Sequence, residues 1–303
     1  MFAALRPFYQ FSRPHTILGT TLSVAGLYVI AAAFQAGNGG DFEYRWWLLL
    51  GTLLAALAAN VYIVGLNQLT DVEIDRINKP ELPLAAGNLS MRAGAALVAG
   101  SLLLSFLLAL LLGRYLLLAV VLGMLVGTLY SMPPVRLKRY HVWAAASIFS
   151  VRGLVANLLL FLHFQTALGG SAIVPAHVWA LTAFILVLSL VIAWYKDVPD
   201  MAGDRRFRIA TLSLQLGARL VVRLGLLLLA AAYVALALAT LLALPAVNGP
   251  VLAAMHGGLL FLLWQRARQM QPEQPAQMAR FYRFVWSLFY AEYVVFPLAC
   301  LLA

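Results

Sequence analysis

Nine separate stretches of this chain are apolar for long enough to cross a lipid bilayer, and that constrains its architecture more than any other feature. A hydrocarbon core about 30 Å thick takes roughly 20 residues of helix at about 1.5 Å rise each. The stretches run from Thr16 to Phe34, Trp46 to Leu69, Gly94 to Leu112, Leu116 to Tyr130, Val142 to Leu162, Trp179 to Tyr195, Leu220 to Leu242, Pro250 to Trp264 and Phe284 to Leu302. Composition agrees, with 63% hydrophobic and only 11% charged residues and a mean hydropathy of +0.90, where a soluble domain has roughly 25% charged. The expectation is an all-α polytopic membrane protein with nine transmembrane helices, forming one domain over residues 1–303. The single cysteine, Cys300, excludes a disulfide framework or a thiolate metal cluster.

A net charge of +10 would suggest nucleic acid if the charges formed a surface stripe. They are instead confined to alternate loops. Arg6 and Arg13 precede the first span. Arg76, Lys79 and Arg92 follow the second, and Arg136, Lys138 and Arg139 the fourth. Lys196, Arg205, Arg206, Arg208 and Arg219 follow the sixth, and Arg266, Arg268, Arg280 and Arg283 the eighth. The other side has only Arg45 and Arg114. The positive-inside rule therefore predicts a cytoplasmic N-terminus and cytoplasmic motif loops, with membrane lipids as partners and no nucleic acid. The first span follows Met1–His15 with no cleavable signal ahead of it. The expected location is a bacterial cell membrane, or a thylakoid membrane in a cyanobacterium. Tyr44, Trp46, Trp47, Trp143, Trp179 and Trp264 lie near the predicted boundaries, where aromatic belts belong.

Two acidic motifs sit at ends of spans. In the first, Asn67, Asp71 and Asp75 are four residues apart, so a continuous helix would line three oxygen-bearing side chains along one edge. In the second, Asp197, Asp200 and Asp204 share one edge at spacings of three and four, with Pro199 predicting a kink or restart. Such stripes suit Mg2+, a hard cation that takes carboxylate and amide oxygens and shares its shell with water and phosphate. Facing each other, the motifs could hold a diphosphate through bridging metals. The first motif recurs as the second at a shift of 129, and Arg136 and Lys138 recur at 130 as Arg266 and Arg268. This predicts a parallel pseudo-repeat of about 130 residues carrying motif loops 67–92 and 196–219.

Arg76, Lys79, Arg136, Lys138 and Lys196 lie beside these acids as candidate phosphate cations, Arg136 and Lys138 just after the Pro133-Pro134 turn. Arg152 falls about ten residues inside the fifth span, where an ionisable group points to a cavity or a partner, and Glu292 is its possible partner. Asn60, Asn157 and His163 are candidates for the same cavity, or for bonds between helices.

The runs Asn67-Gln68-Leu69-Thr70-Asp71-Val72-Glu73-Ile74-Asp75-Arg76-Ile77-Asn78-Lys79-Pro80 and Lys196-Asp197-Val198-Pro199-Asp200 with Gly203-Asp204 resemble signatures of the UbiA superfamily of membrane prenyltransferases. Leu82 to Gly87, Tyr130 to Arg139, Val151-Arg152-Gly153, Asn157 and Phe161 to Phe164 look like the homogentisate prenyltransferases within it. The resemblance implies helices around a central cavity, with Asn67, Asp71, Asp75, Asp197, Asp200 and Asp204 holding magnesium and diphosphate. It also implies phytyl or geranylgeranyl diphosphate as donor, homogentisate as acceptor with decarboxylation, and a place in tocopherol and prenylquinone synthesis, and Arg152, Asn60, Asn157 and His163 are the candidates to face that acceptor in the cavity. Chlorophyll synthases share the superfamily signatures and are the alternative. A cation-coupled transporter is the rival of another class, but its acids would belong at the bilayer midplane rather than at helix ends.

Overall fold

The computed structural model describes residues 2–39, 45–207, 209–242 and 244–303, and the expectations for Tyr44 and Arg208 lie outside them. Nine long helices form among the described residues. They are α1 (Pro14–Gly37), α2 (Trp46–Thr70), α3 (Met91–Leu112), α4 (Arg114–Ser131), α5 (His141–Ala167), α6 (Ala176–Asp197), α7 (Ala218–Leu242), α8 (Gly249–Arg268) and α9 (Pro275–Leu301). Short helices Val72–Asn78 and Met201–Arg206 carry parts of the two acidic motifs.

Eight of the nine are long and apolar enough to cross a membrane. The exception is α8, whose predicted span is diluted by His256, Gly257 and Gly258. It nevertheless forms a 20-residue helix, about 30 Å long. Local chemistry sets several ends. Ser90 Oγ accepts from the Ala93 N–H at 3.2 Å to start α3, and Asn248 Oδ1 accepts from the Val251 N–H at 3.2 Å to start α8. Gly113, with φ 133°, alone separates α3 from α4, a backbone conformation that a side chain would strain.

Each long helix packs on the next, and α9 closes the ring against α1. Gly26 permits that closure, because a Cβ there would press on the Tyr293 carbonyl oxygen at 2.8 Å. Leu27, Ile30, Ile185, Leu188, Phe289 and Phe296 fill the contacts inside the ring. Outside it, Leu103, Leu104, Leu107, Leu110 and Leu111 leave half or more of their surface uncovered along one face of α3. An apolar face of that extent requires lipid rather than water. Trp46, Trp47, Trp143, Trp179 and Trp264 are likewise at least half exposed, as residues at a membrane boundary should be. The chain is an integral, multi-pass membrane protein.

One helix departs from regular winding. Within α5, Ser150–Leu159 is a π-helix, an i→i+5 segment that turns Arg152 onto the interior. Such bulges recur at functional sites.

Candidate active site

The first acidic motif is not the continuous stripe that its spacing predicts. Helix α2 stops at Thr70, Asp71 takes φ −119° and ψ 12°, and helix resumes over Val72–Asn78. The break has a physical cause. It turns the Asp71 carboxylate onto two cations, Arg136 Nη2 at 2.7 Å from Oδ1 and Lys138 Nζ on Oδ2. The same Arg136 Nη2 donates to the Thr70 carbonyl oxygen at 3.2 Å, satisfying an orphan acceptor at the end of α2. Asn67 Nδ2 still reaches Asp71 Oδ2 at 2.9 Å, and the Asp75 N–H donates to the Asp71 carbonyl at 2.8 Å.

The second motif restarts as its proline predicts. Helix α6 ends at Asp197, Val198 to Asp200 form a turn, and Met201–Arg206 follows. The two restarted helices then lie against each other. The Gly203 N–H donates to Asn78 Oδ1 at 3.0 Å, and Lys79 Nζ bonds Asp200. Glycine is required at 203, because a Cβ would collide with the Asn78 amide.

Burial leaves these carboxylates electrostatically tense. Asp75 is pushed up to about 6, chiefly by desolvation; Arg13 and Lys79 oppose this, and the Asp71 and Asp200 charges add to it. Asp204 is pushed up to about 7 by desolvation, then by the charges of Asp197 and Asp200, against Lys196 and Lys79. Lys138 is pulled down to about 8 by burial, with Asp71 working against that. The acids of one motif thus feel those of the other. Among the described residues no three carboxylate, imidazole or thiolate groups are gathered around one point. Asp71 and Asp200 are bonded to Arg136, Lys138 and Lys79 instead.

Behind the motifs lies a cavity of about 310 Å³. Arg13, Asn67, Tyr130 and Lys196 line its motif end, and Leu116 lines it near the opposite end of α4. Tyr130 and Leu116 are 14 residues apart on one helix, so the cavity runs for about 20 Å along α4. Much of its wall between them is aliphatic, from Ile63, Val120, Val126, Val155 and Ile192, with Asn60, Arg152, Trp286 and Phe289 set into it. Lys196 Nζ donates to the Tyr130 hydroxyl at 2.9 Å and stands 3.4 Å from Asp197 Oδ1.

The other candidates divide. Asn60 lines the cavity while its Nδ2 donates to Thr16 Oγ1 at 3.0 Å. Asn157 and His163 are not part of the wall. Asn157 accepts from the Tyr293 hydroxyl at 2.7 Å and donates to the Gly153 carbonyl at 2.8 Å, and His163 Nε2 bonds Thr52 Oγ1 at 2.9 Å. Arg152 lines the cavity, but Glu292 is not its partner, because Glu292 Oε2 sits 3.1 Å from His256 Nε2. Arg76 pairs at 2.6 Å with exposed Glu73. Sequence reasoning passed over Asn78, which joins the motif helices, and Arg13, whose Nη2 lies 3.4 Å from Asn67 Oδ1. Asn78 stood inside the first motif and was legible there, whereas Arg13 looked like one more loop charge.

A membrane bundle with paired acidic helix ends over an apolar cavity has a matching family. The model of the UbiA prenyltransferase family matches residues 24–288. The chain belongs to the UbiA prenyltransferase family. Among the family's proteins, homogentisate phytyltransferase of Synechocystis sp. is 48% identical to it over 98% of this chain and 96% of the relative. Homogentisate geranylgeranyltransferase of Triticum aestivum is 40% identical over 97% of this chain and 72% of the relative. The UbiA fold itself is shared with a homologue from Archaeoglobus fulgidus whose structure holds GPP and Mg2+. That likeness has a TM-score of 0.65 at 18% identity, over 98% of this chain and all of that one.

Proposed function

We propose that this UbiA-family chain transfers a phytyl or geranylgeranyl group from its diphosphate to the ring of homogentisate, with loss of the acceptor's carboxylate, in tocopherol and prenylquinone synthesis. One observation carries the chemistry: two buried acidic motifs, cross-linked by Asn78 and Lys79, stand at the motif end of a long aliphatic cavity. The relatives' names support the acceptor, since homogentisate recurs among phytyl-, geranylgeranyl- and solanesyl-transferring proteins.

Asn67, Asp71 and Asp75 on one side and Asp197, Asp200 and Asp204 on the other would hold Mg2+. All are oxygen donors, and burial, with neighbouring carboxylates adding to it, pushes the Asp75 and Asp204 carboxyl groups up, a cost that a bound cation would offset. When bound, Mg2+ supplies neutralisation of the departing diphosphate. Lys79, Arg136, Lys138 and Lys196 are the proposed phosphate donors. Arg76, on the outer face with Glu73, is the weakest member of that set. As the allylic C–O bond breaks, its electron pair leaves with the diphosphate. Ring electrons of the acceptor then form the new C–C bond, the ring gives up a proton, and CO2 is replaced by a proton on the side chain. The aliphatic wall keeps water from the allylic cation. We place the N-terminus and motif loops on the cytoplasmic face of a bacterial or cyanobacterial thylakoid membrane, from the clustering of basic residues beside the motifs.

The test uses purified protein in lipid with homogentisate, each prenyl diphosphate and Mg2+, with chlorophyllide as a parallel acceptor. Diphosphate release should require both substrates and the metal, and the product mass should show prenyl gained and CO2 lost. Prenylation of chlorophyllide without turnover of homogentisate would overturn the proposal.

A further inference from the structure

Among the described residues, Arg152 is a cation inside a membrane span that the diphosphate chemistry leaves without a task. It lines the cavity, yet no ion pair among the described residues includes it. Its Nη1 is buried with no hydrogen-bond partner. Its guanidinium lies over two rings, 4.5 Å from the Trp286 centroid and 5.5 Å from that of Phe289. A guanidinium cannot shed its charge at physiological pH, and in an apolar interior it demands an anion.

The place of Arg152 along the cavity narrows what that anion is. Gly19, five residues into α1, packs on Trp286, a Cβ there falling 3.1 Å from the ring, and His15 at the start of α1 stands edge-on to the same ring at 5.2 Å, so this pocket spans the first turns of α1, beside the motif end and outside the motifs themselves. The acidic motifs and Lys196 occupy that end, and the aliphatic stretch toward Leu116 offers a prenyl tail no charge to meet. Arg13 also lines the cavity, but it reaches Asn67 and so belongs to the motif end. Beside Arg152 the cavity offers one fork of N–H donors, backed by the rings of Trp286 and Phe289 and bordered by the aromatic side chains of His15 and Tyr282. A planar ring bearing a carboxylate on a short arm has both complementary features.

We infer that Arg152, held over the faces of Trp286 and Phe289, binds the carboxylate of the aromatic acceptor and so selects aryl acetates over acceptors that lack the acid. The inference rests on the proposed reaction for the acceptor's name, but on the residues themselves for the ligand class. Arg152 is a specificity residue that touches substrate. Arg152 lies in the π-helical segment of α5.

Two readouts separate this inference from the reaction it refines. In turnover, the full-length chain in lipid is given homogentisate or methylhydroquinone, an acceptor without the carboxylate. Arg152→Gln should raise KM for homogentisate roughly 10- to 100-fold, as loss of a charge-assisted hydrogen bond does. KM for geranylgeranyl diphosphate should stay within about twofold, and the preference for homogentisate over methylhydroquinone should collapse. Arg152→Lys should restore part of that preference. In binding, homogentisate should raise the melting temperature of the wild type, its methyl ester should not, and Arg152→Gln should abolish the rise. An unchanged homogentisate KM, or a rise in the diphosphate KM instead, overturns the inference. If homogentisate binds through Arg152 without being turned over, the reaction is wrong and the inference stands. If the wild type alone is available because the variants misfold, equal binding of acid and ester overturns it.

Discussion

The two acidic motifs look alike in sequence and are treated differently by the fold. Asp71 of the first is held by Arg136 and Lys138 and by the Asn67 amide, so its charge is matched before any ligand arrives. The acids of the second motif share single cations, and Lys196 stands 3.4 Å from Asp197. Lys79 reaches across to Asp200, while Asp204 is buried beside two further carboxylates, with no ion pair of its own among the described residues. Asp71 is therefore built as a fixed structural corner. Asp204 stands where negative charge has been crowded together, which a divalent cation would relieve.

Removing each motif's acid should separate these roles. Asp71→Ala should lower prenyl transfer by about 10³-fold or more. It should also destabilise the protein by about 3 kcal/mol, because Arg136 and Lys138 are left buried and unpaired. Asp204→Asn should lower transfer comparably, yet leave the metal-free protein as stable or more stable. Thermal melting in lipid without metal, alongside turnover, checks both. Equal destabilisation by the two variants would break the comparison.

The dependence on pH is the next largest effect. The folded carboxyl groups of Asp75 and Asp204 titrate at about 6 and about 7, above their ordinary 3.8. Between those values the folded protein binds more protons than the unfolded chain. Their contribution to metal-free stability is thus fully present below 3.8, and it is lost as pH rises through about 6 and about 7. Metal binding has the opposite sign, because it needs the ionised carboxylates. Magnesium affinity should weaken about tenfold or more from pH 8 to pH 6, with protons released on binding at the lower pH. Calorimetric titration in two buffers of different ionisation enthalpy measures both, and a pH-independent affinity would show that these acids are not ligands.

The smallest effect is expected at Arg76. Its pair with Glu73 is exposed at the surface, so Arg76→Ala should change stability by less than about 0.5 kcal/mol and KM for the diphosphate by less than about twofold. A larger change in KM would return Arg76 to the diphosphate site on closure.

Much of the molecule was legible from residues alone. Runs such as Gly94 to Leu112 have no polar alternative to a helix in lipid, and Asn67, Asp71, Asp75, Asp200 and Asp204 announce oxygen ligands wherever they are placed. The break at Asp71 was not legible, since a spacing of four is equally compatible with an unbroken helix. It is decided by Arg136 and Lys138, more than 60 residues away. The partner of Glu292 is likewise not legible, since two intramembrane charges such as Glu292 and Arg152 can pair or be satisfied by nearby Tyr and Asn groups, whereas the packing of α8 on α9 puts His256 beside Glu292.

Hydropathy and side-chain chemistry alone make this chain a membrane helical bundle with two oxygen-rich ends, because they are properties of the residues and need no partner. Which cation neutralises which acid, which polar groups join helices, and that Arg152 faces the cavity beside Trp286 and Phe289 follow from packing alone. Those are questions of distance between residues far apart in the chain. Closing the ring of nine helices sets those distances, because each buried charge must then find its partner among whatever the packing brings near.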